Sequence, residues 1–498
     1  MAAYILGIDI GTTSVKAILL SNEGKIVDES TKEHDLLSLH ANWAEEDANI
    51  WWQNTLLAVS DLTARNRDRL PDLKAIGCSG MVPAIVFLDE HNVPLRNTIQ
   101  QNDARAIDQI DRITKALDQE TLFARTGGYT NQQHILPRIL WVKENEPDVF
   151  VKTKTVMGSY DYIAFKLTGI RQLEMNWAVE SGAFDVHTQE WIGEYLTAFG
   201  IDPAILPPVS PSMQVIGKTL PGISGLPAGI PVISGSADHV ASTLAAGITE
   251  PGDLLIKFGG AGDILYCTDT VKPHPLLFFD YHIVPERYLL NGCMASSGSL
   301  VKWYTRDILS LNDKDTFRKL DEESESVPPA SDGLFILPYF IGEKTPLFDP
   351  TARGVFVGLT LAHNRGAIFR AILESVIYGF RHHVDVLREA GYSIRRVYAT
   401  NGGAKSRFWC QIAADVLGEE IVSFPAHPGS ALGVAFLAGM AVGVFQSWEE
   451  IHTCLTERRT FRPIAENKKI YDRAYPIFRN LYTALTPSFA AINKLYEE

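Results

Sequence analysis

The segment Tyr4–Leu20, YILGIDIGTTSVKAILL, decides the fold. Tyr4–Ile8 is an apolar run, Asp9-Ile10-Gly11-Thr12-Thr13-Ser14 is a polar Gly/Thr turn, and Val15–Leu20 is apolar again. Strand, turn, strand is the reading, and the Asn22-Glu23-Gly24 turn with a third strand after it makes a β-meander. Glu45–Arg65 has helical period, with Ile50, Leu57 and Leu62 among polar residues, and leads to a strand at Lys74–Cys78. A short hairpin, Ala84–Leu88 with its turn at Asp89–Asn92, follows. Farther on come a buried strand, Ile230–Ser234, and a small-residue helix from Asp238 to Ala246. Thr249–Asp253 breaks the chain, and the opening then returns: strand Leu254–Phe258, turn Gly259–Gly262, strand Asp263–Cys267. Gly11 and Gly259 lie 259 − 11 = 248 residues apart, half the chain, which predicts two homologous domains, 1–248 and 249–498. An amphipathic helix over Arg365–Ala390, a strand at Arg396–Thr400 and a helix over Ser406–Leu417 complete an α/β pattern.

The chain has 498 residues, 46% of them hydrophobic, more than one compact core accommodates. Lys and Arg number 45 against 59 Asp and Glu, so the net charge is 45 − 59 = −14. That balance argues against nucleic-acid and anionic-membrane partners and leaves anionic ligands to backbone N–H groups, helix N-termini and a metal ion. Five dispersed cysteines without a C-x-x-C pair fit a reducing cytoplasm. The first residues do not read as a secretory signal. The longest apolar run, Ala431–Phe445, is shorter than the roughly 18 residues of a membrane span and reads as a buried helix. Gly217-Lys218-Thr219 mimics the end of a P-loop, but Ser212 stands where its first glycine belongs. The histidines show no metal-ligand spacing, and Trp177 reads as a core aromatic.

Three glycine turns have the chemistry to meet a polyanion. In Asp9–Ser14, with Lys16 just beyond, a carboxylate at a strand end can order a hydrated Mg²⁺ while the turn offers N–H groups and hydroxyls to phosphate oxygens. Gly259–Gly262 allows close backbone approach. Asn401-Gly402-Gly403-Ala404-Lys405-Ser406 leaves room for a base or ribose before a helix. Each is equally readable as a plain tight turn. Asp238 reads either as a general base or as a helix N-cap.

Taken in order, Asp9–Thr13, Ser234–Asp238, Gly333–Pro338 with Gly342–Pro346, Asp349-Pro350, Gly354, Gly402–Ser406 and Gly429–Gly433 resemble the FGGY family of carbohydrate kinases, in its xylulose kinase-like branch. The resemblance implies two ribonuclease-H-like domains, of the actin and hexokinase ATPase type, flanking a central cleft that closes over ATP, Mg²⁺ and a sugar. It places one phosphate element on Asp9, Gly11, Thr12 and Thr13, a second on Gly259, Gly260 and Gly262, and the adenosine element on Gly402, Gly403, Ala404 and Ser406. Asp238 becomes the base, and Asp9 the metal partner through water. Met81, Asn102, Asp103 and Arg105 join Asp238 as sugar contacts. D-xylulose is the expected acceptor, with ribulose, erythritol, glycerol or gluconate as alternatives, and a non-catalytic ATP- and sugar-binding sensor as a further one. Two departures stand out: Val82-Pro83 where many xylulose kinases carry His, and Gly260 where the second phosphate element usually has Thr. The family's assemblies leave a homodimer open.

Overall fold

The computed structural model describes residues 2–40, 42–223, 225–313 and 315–495. The opening segment forms β1 (Tyr4–Ile10), β2 (Ser14–Ser21) and β3 (Ile26–Glu33), an antiparallel meander. α1 (Ala48–Arg65) starts at Asp47, whose carboxylate accepts the Asn49 N–H at 2.8 Å, a capping bond that satisfies one of the free donors of the first turn. It returns the chain to β4 (Leu73–Gly80), parallel to β1. β5 (Val215–Lys218) and β6 (Pro231–Ile233) complete the order β5-β6-β4-β1-β2-β3, and Ser236–Ala237 pairs with the end of β4. α2 (Asp238–Ala245) begins at once from that pairing. The hairpin expected at Ala84–Leu88 closes only through a bridge from Leu88 to Pro94; its strand pairs mainly with Thr155–Met157.

The second sheet repeats the plan. β7 (Asp253–Phe258) and β8 (Gly262–Thr268) form the hairpin, followed by β9 (Phe278–Tyr281) and β10 (Tyr288–Met294). After α3 (Thr316–Glu325) and α4 (Arg365–Glu389), β11 (Arg396–Thr400) lies parallel to β7, as β4 does to β1. α5 (Arg407–Leu417), β12 (Ile421–Ser423), α6 (Ser430–Ala441) and β13 (Arg459–Phe461) follow, and the sheet order is β9-β10-β8-β7-β11-β12-β13. Side chains alternate along a strand, so β7 serves two cores: Leu254 and Ile256 pack in the second, Leu255 in the first.

The division expected at 248/249 needs one amendment. α6 is apolar all round, and it packs on β1, β4 and α2 of the first half, as do Phe445, Ile451 and Cys454 after it. Three glycines permit the approach. A Cβ on Gly7 would sit 2.3 Å from the Ala431 carbonyl oxygen, one on Gly77 2.5 Å from that of Val434, and one on Gly433 1.9 Å from that of Ala241. Backbone meets backbone there, at distances no side chain allows.

Candidate active site

At the end of β1, Asp9 accepts a hydrogen bond from the Ser79 hydroxyl at 2.8 Å. Burial and the nearby charge of Asp238 push its carboxyl up to about 6, against hydrogen bonds from Ser430 and Ser79 and the charge of Lys16. Lys16 itself pairs with Glu29 at 2.8 Å. The turn that follows is closed by the Gly11 N–H on the Ser14 carbonyl at 2.9 Å, leaving Thr13 exposed and Thr12 half-buried. In the second half the counterpart of Asp9, at 9 + 248 = 257, is Lys257, 3.5 Å from Asp263 across the hairpin. The order of charge is thus inverted: the strand before the turn ends in a carboxylate, Asp9, in the first hairpin and in an ammonium, Lys257, in the second.

The turn at Gly259–Ala261 is held from below. The Gly260 carbonyl accepts the N–H groups of Ser297 and Ser299 and the Ser299 hydroxyl, and the Gly259 carbonyl accepts the Gly298 N–H at 2.8 Å. These bonds occupy the carbonyls, while a Cβ added to Gly260 would meet nothing within 4 Å. Gly262 departs from expectation: it is buried as the first residue of β8, and its missing Cβ makes room for Phe380, 3.0 Å away. It packs the hairpin rather than facing a ligand.

A cavity of about 1290 Å³ opens between the halves, and Lys16, Gly259, Gly260, Gly402, Gly403 and Ser406 all line it. Phe258, Phe369, Phe408 and Trp409 supply apolar wall. Asn401 takes φ 70° to turn the chain from β11 into this wall. Ala404 does not reach it: the side chain is buried and its carbonyl faces the Cys410 thiol. Ser406 caps α5, accepting the Trp409 N–H at 2.9 Å, and donates to Asp321 at 2.8 Å.

Asp238 is the first residue of α2, and the N-cap position is held by Ala237 rather than by Asp238. It keeps 37% of its side-chain surface exposed. Next to it stands a residue that sequence reasoning passed over. His239 places Nδ1 3.6 Å from Asp238 and Nε2 3.1 Å from Asp280, a fully buried carboxylate on β9 that also accepts from Asn291. Burial opposes charge on the imidazole, but Asp280 and Asp238 outweigh it and hold the ring well above its ordinary pKa. Glu180 belongs to the same group: burial and Asp280 push it up to about 8, against His239, Arg138 and Lys344. Asn176 ties β9 to the first half by donating to the Tyr281 carbonyl at 3.0 Å and accepting its N–H at 2.8 Å. Trp177 is core, as expected, with its indole N–H on the Ala84 carbonyl.

Most of the residues expected at the sugar are buried and engaged within the protein. Met81 is fully buried under β1, its N–H on the Ile10 carbonyl and its carbonyl on the Ser159 hydroxyl. Asp103 and Arg105 form a buried ion pair: Arg105 reaches Asp103 at 2.7 Å and Glu45 at 2.7 Å, and its guanidinium lies 3.7 Å from the centre of the Trp43 ring. A guanidinium out of water needs such carboxylates, so these groups are spent on each other. Asn102 alone of the segment is exposed. Arg138 fixes the loop by donating to the carbonyls of Gln101, Asp103 and Gln132.

Among the described residues no group of three or more His, Cys, Asp and Glu side chains is placed to hold a metal ion directly. Mg²⁺ retains several waters and takes one or two carboxylates, so Asp9, half-buried and opposed by the charge of Asp238, fits a hydrated ion.

Two glycine-turn hairpins, a cavity between duplicated sheets and a partly open carboxylate at a helix start coincide with one known family. Residues 4–245 match the N-terminal domain of the FGGY family of carbohydrate kinases, and residues 266–442 its C-terminal domain. The chain belongs to the FGGY family. As an FGGY kinase it is 31% identical over 487 residues to the xylulose kinase of Bacillus subtilis (strain 168), covering 96% of this chain and 97% of that one. It is 27% identical to the gluconokinase of Bacillus licheniformis, covering 99% of this chain and 98% of that one. The crystal structure of xylulose kinase from Rhodospirillum rubrum superimposes with a TM-score of 0.92 at 40% identity, covering 98% of this chain and all of that one. The fold is that of the actin and hexokinase ATPases, and the activity is that of a sugar kinase. No helix among the described residues is long and apolar enough to cross a membrane.

Proposed function

We propose that this FGGY kinase transfers the γ-phosphoryl group of ATP to a primary hydroxyl of a ketose, D-xylulose first among acceptors, with Asp238 as general base. The observation that carries the assignment is the Asp238 carboxylate: partly open, close enough to Asp9 to raise its pKa and held beside His239. Phosphoryl transfer asks for an in-line hydroxyl and neutralised charge rather than covalent chemistry. Asp238 takes the hydroxyl proton as the bond to phosphorus forms, and His239 beside it orients the carboxylate. The backbone N–H groups of Thr12 and Thr13 and of Gly259–Ala261 cradle the phosphates from the two halves, and Gly402 and Gly403 admit the nucleoside. Asp9 would hold Mg²⁺ through water, which supplies charge neutralisation on the phosphates. The xylulose kinase relatives across the whole chain support the acceptor, and they are the reason for placing D-xylulose ahead of gluconate or glycerol.

The test is an ADP-release assay over D-xylulose, ribulose, erythritol, glycerol and gluconate, with Asp238→Asn alongside. The reading expects the highest kcat/KM on D-xylulose and a loss of about 10²–10⁴ in kcat for the variant. Equal turnover by Asp238→Asn removes the base, and a larger kcat/KM on another acceptor removes the sugar. Gly260, without the usual threonine hydroxyl, favours a second reading as a sensor; binding of both ligands without sugar-stimulated ADP release would establish it.

A further inference from the structure

The wall of the nucleotide cavity contains a carboxylate without a cation. Asp321, on α3, lines the cavity. Its Oδ2 accepts the Ser406 hydroxyl at 2.8 Å, and that hydroxyl is itself fixed by the Trp409 N–H. Its Oδ1 has no hydrogen-bond partner among the described residues. Neighbouring charges do not compensate it: Glu322 and Glu325 are of the same sign, and Arg318 is engaged by Glu322 at 2.7 Å. An unpaired carboxylate repels a phosphate chain, so this wall belongs to the nucleoside end of a bound nucleotide. Phe317 and Phe408 line the same cavity with ring surface, which suits a planar base better than a hydroxylated ribose. Gly402 lines this cavity too, and a Cβ there would meet nothing within 4 Å, so its backbone is open to the ligand. A purine reaching Asp321 presents either a 6-amino group, a donor, or a 6-oxo group, an acceptor.

We propose that Asp321 selects adenine over 6-oxopurines by accepting a hydrogen bond from the 6-amino group, with Ser406 as the positioning residue that aims its carboxylate. The inference rests on the reading of this cavity as a nucleotide site. With Oδ1 at the 6-position, a 6-oxo group would bring an acceptor against an acceptor, and the carboxylate regains a donor only if the ring shifts to bring its N1–H across, a penalty of roughly 10- to 150-fold in affinity for a bond to a charged group. Asparagine in its place presents amide N–H donors as readily as an oxygen, so it tolerates either purine.

The experiment is calorimetric titration of ADP, IDP and 2′-deoxy-ADP, without acceptor sugar, into the wild type, Asp321→Asn and Asp321→Ala, each checked for an unchanged melting temperature. The expected result is ADP bound roughly 10- to 150-fold more tightly than IDP by the wild type. In Asp321→Asn and Asp321→Ala that ratio falls toward unity, and 2′-deoxy-ADP follows ADP in all three proteins. An ADP-to-IDP ratio that survives both substitutions overturns the assignment, as does a loss confined to the comparison of ADP with 2′-deoxy-ADP, which would put the ribose at Asp321. Absence of any nucleotide binding by the wild type would instead overturn the nucleotide reading itself.

Discussion

Gly433→Ala is the sharpest test of how the two halves are joined. The added Cβ would lie 1.9 Å from the Ala241 carbonyl oxygen and 2.6 Å from its carbon, both backbone atoms of α2. Ordinary contact begins near 3.4 Å, so α6 and α2 must separate by about 3.4 − 1.9 = 1.5 Å. Overpacking of this kind costs about 1–3 kcal/mol, while alanine in a helix returns up to about 1 kcal/mol, so the net loss is about 1–2 kcal/mol. For a unit of about 250 residues that corresponds to a fall of roughly 2–8 °C in melting temperature. Ala241 lies one turn after Asp238, so the displacement reaches the proposed base, and a 1 Å misplacement can cost about 100-fold in rate. The assay is a thermal scan without nucleotide, which would otherwise stabilise the folded state, paired with kcat. Gly439→Ala is the control: its Cβ meets the Phe445 ring at 2.5 Å, a side chain able to move, and the expected fall is smaller with kcat unchanged. A Gly433→Ala protein as stable and as active as the wild type would refute the account of the packing.

Three other outcomes are expected. Glu174, buried and accepting from Tyr160 and Ser212, is pushed up to about 7 by burial, so the stability tied to its protonated form is full below the ordinary carboxylate pKa and lost as pH rises through 7; Glu174→Gln should flatten the decline in melting temperature between pH 5 and 8, a difference on the order of 2–3 kcal/mol. His239→Gln removes the cation between Asp238 and Asp280, and steady-state kinetics should show kcat lowered by about tenfold or more with ADP affinity, measured by calorimetry, unchanged. Arg105→Ala leaves Asp103 buried without its cation and Glu45 with Arg96 alone, so urea unfolding should show a loss of about 3–5 kcal/mol, with the KM for sugar in the folded protein little altered.

The turns proposed to carry phosphate chemistry were legible because each is local: strand, glycines and strand lie within a dozen residues, and the 248-residue repeat adds the second copy. Asp238 was legible as a carboxylate at a helix start, but that Ala237 rather than Asp238 holds the N-cap position shows only in the structure. What failed to show is what depends on partners distant in sequence. Asp280 has no pattern of its own and acquires meaning only because β9 lies against α2; His239 had the single clue of following Asp238. Asp103 and Arg105 carry the residue types of a sugar site, and nothing in their spacing reveals that Glu45, Trp43 and Trp141 enclose them. Gly262 and Ala404 sit beside true surface turns and differ from their neighbours only by burial. α6 read as buried because it is apolar on every side, a pattern that says nothing of which core it enters.

That last placement has a consequence for synthesis. A ribosome releases β1 and β4 long before it has made residue 441, so the nascent first half carries an uncovered apolar groove, floored by Gly7 and Gly77, until α6 emerges. Co-translational folding of that half therefore waits for nearly the whole message, and a gene fragment ending at residue 248 should yield a chaperone-bound or aggregated product rather than a separable lobe.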